Sequence, residues 1–209
     1  MWNTSAAGAS QGYSSPAIGS DGTVYIAACD HLLALNGSTG AAVWGFQYIY
    51  TPGDFVSAPT IGSDGTVYGG DTSYVYALDG STGAVIWRFM SDFSLTGRRS
   101  AAIGQDGTVY VGDSDAHVYA LNGSSGAVLW TCTTGGEVNG APTIGDQGIV
   151  YVGYGNVYAL NGSTGALIWN YTTGACNSPA IGGDGTVFIS SSDNIVYALN
   201  GSTGQLVWN

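Results

Sequence analysis

The sequence predicts an all-β fold, a β-propeller of five four-stranded blades with about 40 residues per blade. Three observations predict it. Six tryptophans, Trp2, Trp44, Trp87, Trp130, Trp169 and Trp208, stand 42, 43, 43, 39 and 39 residues apart. An Asp-Gly-Thr-Val-Tyr segment recurs at Asp21, Asp64 and Asp106, and in altered form at Asp146 and Asp184. A Tyr-Ala-Leu-Asn-Gly-Ser-Thr-Gly segment reads in full at Tyr158 and Tyr197, and with single changes at Leu33, Tyr76 and Tyr119.

Each unit resolves into four short strands. The first is Pro16-Ala17-Ile18 and its equivalents. The second follows the Asp-Gly turn, as in Thr108-Val109-Tyr110-Val111; Asp-Gly between alternating apolar runs is a hairpin signal. The third is His117 to Leu121. Asn122-Gly123-Ser124-Ser125-Gly126 then turns the chain, because Asn and Gly tolerate positive φ. The fourth is Ala127-Val128-Leu129-Trp130. No window has helical periodicity.

Twenty short strands in an open array would expose many edges, and radial closure removes most of them. A solenoid is the structural alternative, but it needs capping repeats and none of the units reads as a cap. We therefore expect one propeller domain over residues 1–209, with blade units 2–43, 44–86, 87–129, 130–168 and 169–209. Both ends of the sequence stand at the same phase of the repeat, so the ring is expected to close near Trp2 and Trp208. A self-closed monomer is the simpler expectation; a head-to-tail dimer forming a larger ring is the alternative. A segment of a longer array and an engineered propeller both fit this phasing. The recurring Trp, Tyr and Leu read as core, with Trp44, Trp87, Trp130, Trp169 and Trp208 packing blade on blade.

Composition narrows the function. Glycine supplies 35 of 209 residues, charged residues only 8 %, and lysine none. The three cations are Arg88, Arg98 and Arg99, and the formal charge is −11. The chain is too apolar and aromatic for disorder, and its glycines lack the three-residue period of collagen. No apolar run reaches the ~18 residues of a membrane span. An acidic chain without lysine cannot neutralise a row of phosphates, so nucleic acid is not expected as a partner.

The repeat Ala-Leu-Asn-Gly-Ser-Thr-Gly-Ala-x-x-Trp, preceded by Asp-Gly-Thr-Val-Tyr-Val-Gly, resembles the pyrroloquinoline-quinone-type propeller repeat, and does so from Trp2 to Trp208. That repeat occurs in quinoprotein alcohol dehydrogenases, in the propeller lipoprotein of the bacterial outer-membrane barrel assembly machinery, and in other surface proteins. The resemblance implies that the tryptophans dock neighbouring blades. It also implies a ring of seven or eight blades, whereas five are counted here. The quinone enzymes place adjacent cysteines under the cofactor and bind calcium through acidic and amide ligands. Here Cys29, Cys132 and Cys176 are isolated, Glu137 is the sole glutamate, and no Cys-x-x-Cys-His motif is present. The resemblance therefore implies fold rather than quinone chemistry.

A binding site is expected on the loops that vary between units, those joining second to third strands and one blade to the next. The first inter-blade loop, Gly45 to Phe55, carries four aromatics. Alternation of Phe46, Tyr48 and Tyr50 fits continuation of the fourth strand, which leaves Tyr50 and Phe55 as candidate surface contacts. Alignment on the innermost strand sets Arg98 opposite Tyr13 and Asn139, and Arg99 opposite Ser14 and Ser57. One of the two arginines is expected to face the channel mouth and hold a carboxylate or phosphate; the competing reading is an ion pair with Asp54, Asp92 or Glu137. Candidate binding residues are thus Arg98, Arg99, Tyr13, Asn139, Glu137, Tyr50 and Phe55.

No metal site is expected. His31 and His117 occupy equivalent positions on separate blades, and Asp113, Asp115 and His117 read as a solvated turn. Cys29 reads as a buried thiol, and pairing of Cys132 with Cys176 stays open. No catalytic residue is assigned. Asp30, Asp71, Asp113 and Glu137 would be the carboxylates for glycoside hydrolysis, which needs pairs about 5.5 Å or about 6.5–9.5 Å apart.

The expected function is a non-enzymatic, rigid binding or scaffolding platform without a cofactor, for a protein or a small polar or anionic ligand. One alternative is a lectin-like propeller stacking sugars on Tyr50 and Phe55. The other is a degenerate quinoprotein-type enzyme. The family, with the Ser/Thr/Gly-rich and lysine-free composition, implies an extracytoplasmic location. The first repeat begins at residue 2, so no signal peptide is expected within the sequence.

Overall fold

Strand formation follows the repeat closely. The computed structural model describes residues 14–28, 30–48, 57–71, 73–90, 100–138, 140–174 and 178–209. It is all β, with five antiparallel four-stranded sheets, the fold of a five-bladed propeller. Blade one holds β1 (Ala17–Ile18), β2 (Thr23–Ala28), β3 (His31–Asn36) and β4 (Ala42–Gln47). Blade two holds β5 (Thr60–Ile61), β6 (Thr66–Gly70), β7 (Tyr74–Asp79) and β8 (Val85–Met90). Blade three holds β9 (Ala102–Ile103), β10 (Val109–Gly112), β11 (His117–Leu121) and β12 (Val128–Thr133). Blade four holds β13 (Thr143–Ile144), β14 (Ile149–Tyr154), β15 (Asn156–Asn161) and β16 (Leu167–Thr172). Blade five holds β17 (Ala180–Ile181), β18 (Thr186–Ser190), β19 (Val196–Asn200) and β20 (Leu206–Trp208).

Every sheet is a simple meander in chain order. The innermost strands are two residues long. In four blades a proline (Pro16, Pro59, Pro142, Pro179) stands close before them and lacks the N–H that would extend the ladder. Each of the five described tryptophans lies in a fourth strand, so it ends a sheet, and units counted from Trp to Trp begin inside that strand. The fourth strand of blade three runs three residues beyond the expected Trp130, to Thr133.

All five fourth strands carry a bulge that the sequence did not announce. In blade one Trp44 pairs with Ala34 and Ala42 with Leu35, leaving Val43 as the extra residue. The same shift recurs opposite Ala77/Leu78, Ala120/Leu121, Ala159/Leu160 and Ala198/Leu199. A bulge twists an outer strand away from edge-to-edge pairing, which suits strands whose Val43, Ile86 and Leu129 face solvent. Among the described residues the sole helical turn is Asp146–Gly148. There the first hairpin keeps the length of the others, with Ile144 paired to Val150 as Ile18 is to Val24, but Asp146-Gln147 replaces Ser20-Asp21 and Gln147 takes φ 59°.

The chain divides into two compact units, 1–101 with 123–127, and 102–122 with 128–209. In the first, Tyr25, Leu32, Tyr48, Val67, Tyr76 and Leu78 form the core, with Trp44, Phe46 and Ile61 packed against it. In the second, one cluster centres on Tyr151, Val157, Trp169 and Ile189, and another on Tyr110, Val118, Val150 and Leu160.

Blade packs on blade through one repeated device. Trp44 Nε1 donates to the Gly80 carbonyl at 2.8 Å, and Tyr25 donates its hydroxyl to the same oxygen at 3.0 Å. Trp87 and Tyr68 converge likewise on Gly123, at 2.6 and 3.3 Å. In the second unit Trp130 and Tyr110 converge on Gly162, at 2.7 and 3.1 Å. Trp169 and Tyr151 do so on Gly201, at 2.7 and 3.0 Å. Each indole lies against a turn glycine with positive φ; at Gly126 (φ 71°) an added Cβ would stand 2.8 Å from the Trp87 ring. Glycine is thus required twice over there, by conformation and by contact. Trp208 packs its ring on Phe188, tilted at 45° with centroids 5.9 Å apart, and remains 50 % exposed. Trp2, the other residue of the expected closure, lies outside the described residues.

Candidate functional site

On the face of the variable loops, most of the candidate residues fall outside the described part. Arg98, Arg99, Tyr13, Asn139, Tyr50 and Phe55 all lie there, as do Asp54, Asp92, Cys29 and Cys176. Glu137 is described; it is exposed in the loop between β12 and β13.

Around that loop face the described residues are tied down by their own backbone. Ser57, in the column of Arg99, donates its N–H to Gly70 O at 3.0 Å, and its Oγ accepts the Gly70 N–H at 2.9 Å. Ser14 makes the same pair of bonds with Ala27. In these two blades the column serves as an extra rung of the second strand.

The turns between second and third strands are built on aspartates. Asp71 Oδ1 accepts the N–H groups of Ser73 and Tyr74 at 2.8 and 2.7 Å, and Oδ2 accepts the Tyr76 hydroxyl at 3.3 Å. Asp113 Oδ1 accepts from the N–H groups of Asp115 and His117 at 2.9 and 2.8 Å. Its Oδ2 accepts the Tyr119 hydroxyl at 3.1 Å and lies 3.3 Å from His117 Nδ1. This corrects the expectation of a solvated turn: Asp113 is 0 % exposed, because turn N–H groups and a phenol take the place of water around it. Asp193 repeats the tie with Tyr197 at 2.7 Å, and that bond holds the Asp193 carboxyl below its ordinary range. Blade four has no aspartate here; Asn156 Nδ2 donates to the Tyr158 hydroxyl, which in turn accepts the Gly135 N–H. Asp71 and Asp113 are therefore occupied in their own turns. Asp30 differs. It is partly open, with His31 Nδ1 at 2.6 Å and Gln47 at 3.1 Å, and the His31 bond pulls its carboxyl down.

Phe46 and Tyr48 continue the fourth strand of blade one and pack on blade two, as their alternation predicted. Their rings lie 5.2 and 5.4 Å from Tyr76. Tyr48 fills space that Gly69 leaves open: an added Cβ at Gly69 would stand 2.6 Å from the Tyr48 hydroxyl. That hydroxyl is buried without a hydrogen-bond partner, and burial pushes the phenol far above its ordinary pKa. Arg88 lies over the Tyr74 ring, 5.4 Å from its centroid. Cys132 is half-buried on β12, and burial raises its thiol. Among the described residues no group of three or more His, Cys, Asp or Glu is arranged to hold a metal ion. None of their helices is long and apolar enough to cross a membrane.

The opposite face, where first and third turns meet, was not singled out by loop variability, yet it carries two clefts. In the first unit a cleft of about 490 Å³ has Ile18, Ile61, Ile86 and Tyr25 as its apolar lining and Asp21, Asp64 and Asp79 at its rim. In the second unit a cleft of about 640 Å³ is lined by Ile103, Ile144, Ile181 and Tyr110, with Asp106 and Asp146. The sequence signal for both was the isoleucine ending every first strand, next to the aspartate opening every hairpin.

Sheets, turn chemistry and seams define the class, a β-propeller of the pyrroloquinoline-quinone-type repeat. Residues 71–209 match the family model described as outer membrane protein assembly factor BamB, and the chain belongs to that family. BamB from Moraxella catarrhalis shares the fold with a TM-score of 0.79 at 24 % identity, over 93 % of this chain and 63 % of that one. Quinohemoprotein alcohol dehydrogenase ADHIIG from Pseudomonas putida HK5 shares it with a TM-score of 0.74 at 15 % identity, over 95 % of this chain and 41 % of that one. The chain thus spans less than two thirds of either structure. No curated protein matches it.

Proposed function

We propose that this chain is a non-enzymatic propeller module, a rigid platform that binds a protein partner in an extracytoplasmic compartment. The observation that carries the reading is membership of a family described as an outer membrane assembly factor. The seams support it. Tryptophan and tyrosine donors are spent on blade-to-blade carbonyls, and Asp71 and Asp113 on their own turns, so the chain's polar groups build rigidity. A rigid scaffold holding variable loops presents a binding surface with little ordering cost. Arg98, Arg99, Tyr13, Asn139, Tyr50 and Phe55, with Glu137, are the proposed contacts on the loop face.

Site-specific photo-crosslinking tests this. The chain, exported to a bacterial periplasm, carries a photoreactive residue at Glu137 or, as control, at the outer-edge Val43. A discrete protein adduct from position 137 and none from position 43 is expected. Adducts absent from position 137, or pyrroloquinoline quinone retained with calcium and reduced by an alcohol, would overturn the reading.

A further inference from the structure

Resting on the platform reading, we infer a second docking site on the opposite face: the cleft of the first unit takes an arginine flanked by aliphatic residues on a protein partner. The cleft has two halves of different chemistry. Its apolar half is open to water: Ile18 is 70 % and Ile86 49 % exposed. Asp21, Asp64 and Asp79 line the cleft as well, and among the described residues no cationic side chain does. An apolar floor with a purely anionic rim complements a side chain that is both, an arginine beside leucine or isoleucine. A second copy of this chain is a poor occupant, since its formal charge is −11 and its cations are three arginines.

Asp79 singles out this cleft. The equivalent turns begin with Asn36, Asn122, Asn161 and Asn200. Asp79 Oδ1 does what the asparagine oxygen does: it accepts the N–H groups of Ser81 and Thr82 at 3.0 and 2.9 Å. Asn36 Oδ1 accepts those of Ser38 and Thr39 at 3.0 and 2.9 Å. The backbone contacts of the turn are thus those of the asparagine turns, and the Ser81 hydroxyl adds a bond to Oδ1 at 2.6 Å. The second oxygen, Oδ2, stands where asparagine would carry a donor, and it reverses the polarity of the cleft wall. Asp21 is held by the Thr23 N–H and hydroxyl at 2.9 and 2.8 Å. These bonds keep Asp21 and Asp79 ionised below the usual carboxylate range, so the rim stays negative in mild acid. The carboxylates are fixed in orientation before anything binds, which favours a planar guanidinium over a mobile ammonium.

The test is an amide chemical-shift titration of the full chain with the peptide acetyl-Gly-Leu-Arg-Leu-Gly-amide. Shifts confined to residues 18–25, 61–66 and 79–86 are expected, weakening as salt is raised. D79N should weaken binding about threefold and leave the fold intact, because asparagine opens four of the five turns. I18S should weaken it by a similar factor through lost apolar contact. Acetyl-Gly-Gly-Arg-Gly-Gly-amide should bind more weakly than the leucine peptide. Equal binding by the two peptides, equal binding by D79N, or no shifts in the cleft would each overturn the inference. None of these would touch the loop-face reading, which stands or falls on crosslinking at position 137.

Discussion

Trp169 and Trp208 stand one repeat apart in near-identical sequence, Leu-Ile-Trp-Asn and Leu-Val-Trp-Asn, yet they hold different positions. Trp169 is 8 % exposed, donates to Gly201 and lies against the Gly204 turn. Trp208 is 50 % exposed, and its ring neighbour is Phe188 where the other blades have a tyrosine that donates across the seam. The motif brings the indole to the outer strand. Whether it becomes core depends on the blade that meets it. A repeat protein is stabilised at its interfaces, so identical residues contribute unequally.

The largest test of this comparison is truncation of the indole. Trp169→Ala should lower stability in denaturant unfolding by about 3–5 kcal/mol, as for a buried tryptophan. Trp208→Ala should cost less than about 1 kcal/mol. Equal losses would mean that both residues are equally covered in solution.

The turn side of the seam gives a smaller contrast. Gly126 and Gly107 both have positive φ, 71° and 82°, but an added Cβ meets the Trp87 ring only at Gly126. Gly107→Ala should cost about 1 kcal/mol of backbone strain, and Gly126→Ala about 1–3 kcal/mol more through displacement of the indole. Thermal melts of the two variants check this, and similar melting temperatures would show that the indole yields freely.

The smallest effect expected is on pH dependence, which separates turns from seams. Asp21, Asp79, Asp184 and Asp193 are pulled down by hydrogen bonds in their turns. A depressed carboxyl stabilises the fold above its unfolded pKa, about 3.9, and that contribution is lost as pH falls through the folded value. The melting temperature should therefore hold from pH 7 to about 5 and drop below about 4. The seam phenols Tyr25, Tyr68, Tyr110 and Tyr151 are pushed up, chiefly by burial. Their stabilisation is complete below about pH 10, the unfolded value, and is lost as pH rises through the folded one. A melting temperature that fell steadily from pH 7 to 5 would contradict this assignment.

Much of the fold was legible because each repeated residue has a local reason. Asp-Gly makes the hairpin, Asn-Gly-Ser-Thr-Gly the next turn, and alternation in Thr-Val-Tyr-Val the strand. The packing of Phe46 and Tyr48 on blade two was legible for the same reason, since period-two alternation names the buried face. The candidate site was less so. The solvated reading of Asp113 failed because burial depends on Tyr119, six residues away, turning its hydroxyl back onto the carboxylate. Tyr48 and Gly69 lie in different blades, and their fit has no signature in either stretch. The clefts escaped notice because loop variability pointed to the other face, while the isoleucines of the first strands recur in every blade and read as structural, and Asp79 read as a single change in a turn motif.

By itself the sequence determined strand number, turn positions and the residues of the four described seams, because these depend on neighbours within five or six positions and on a repeat of about 40 residues. Only the tertiary structure decided which tryptophan is core and which is half in water, which aspartate is buried, and where apolar and acidic side chains share a cleft. Those outcomes depend on what one blade presents to the next, and the chain carries that information some 40 residues away from the residue it governs.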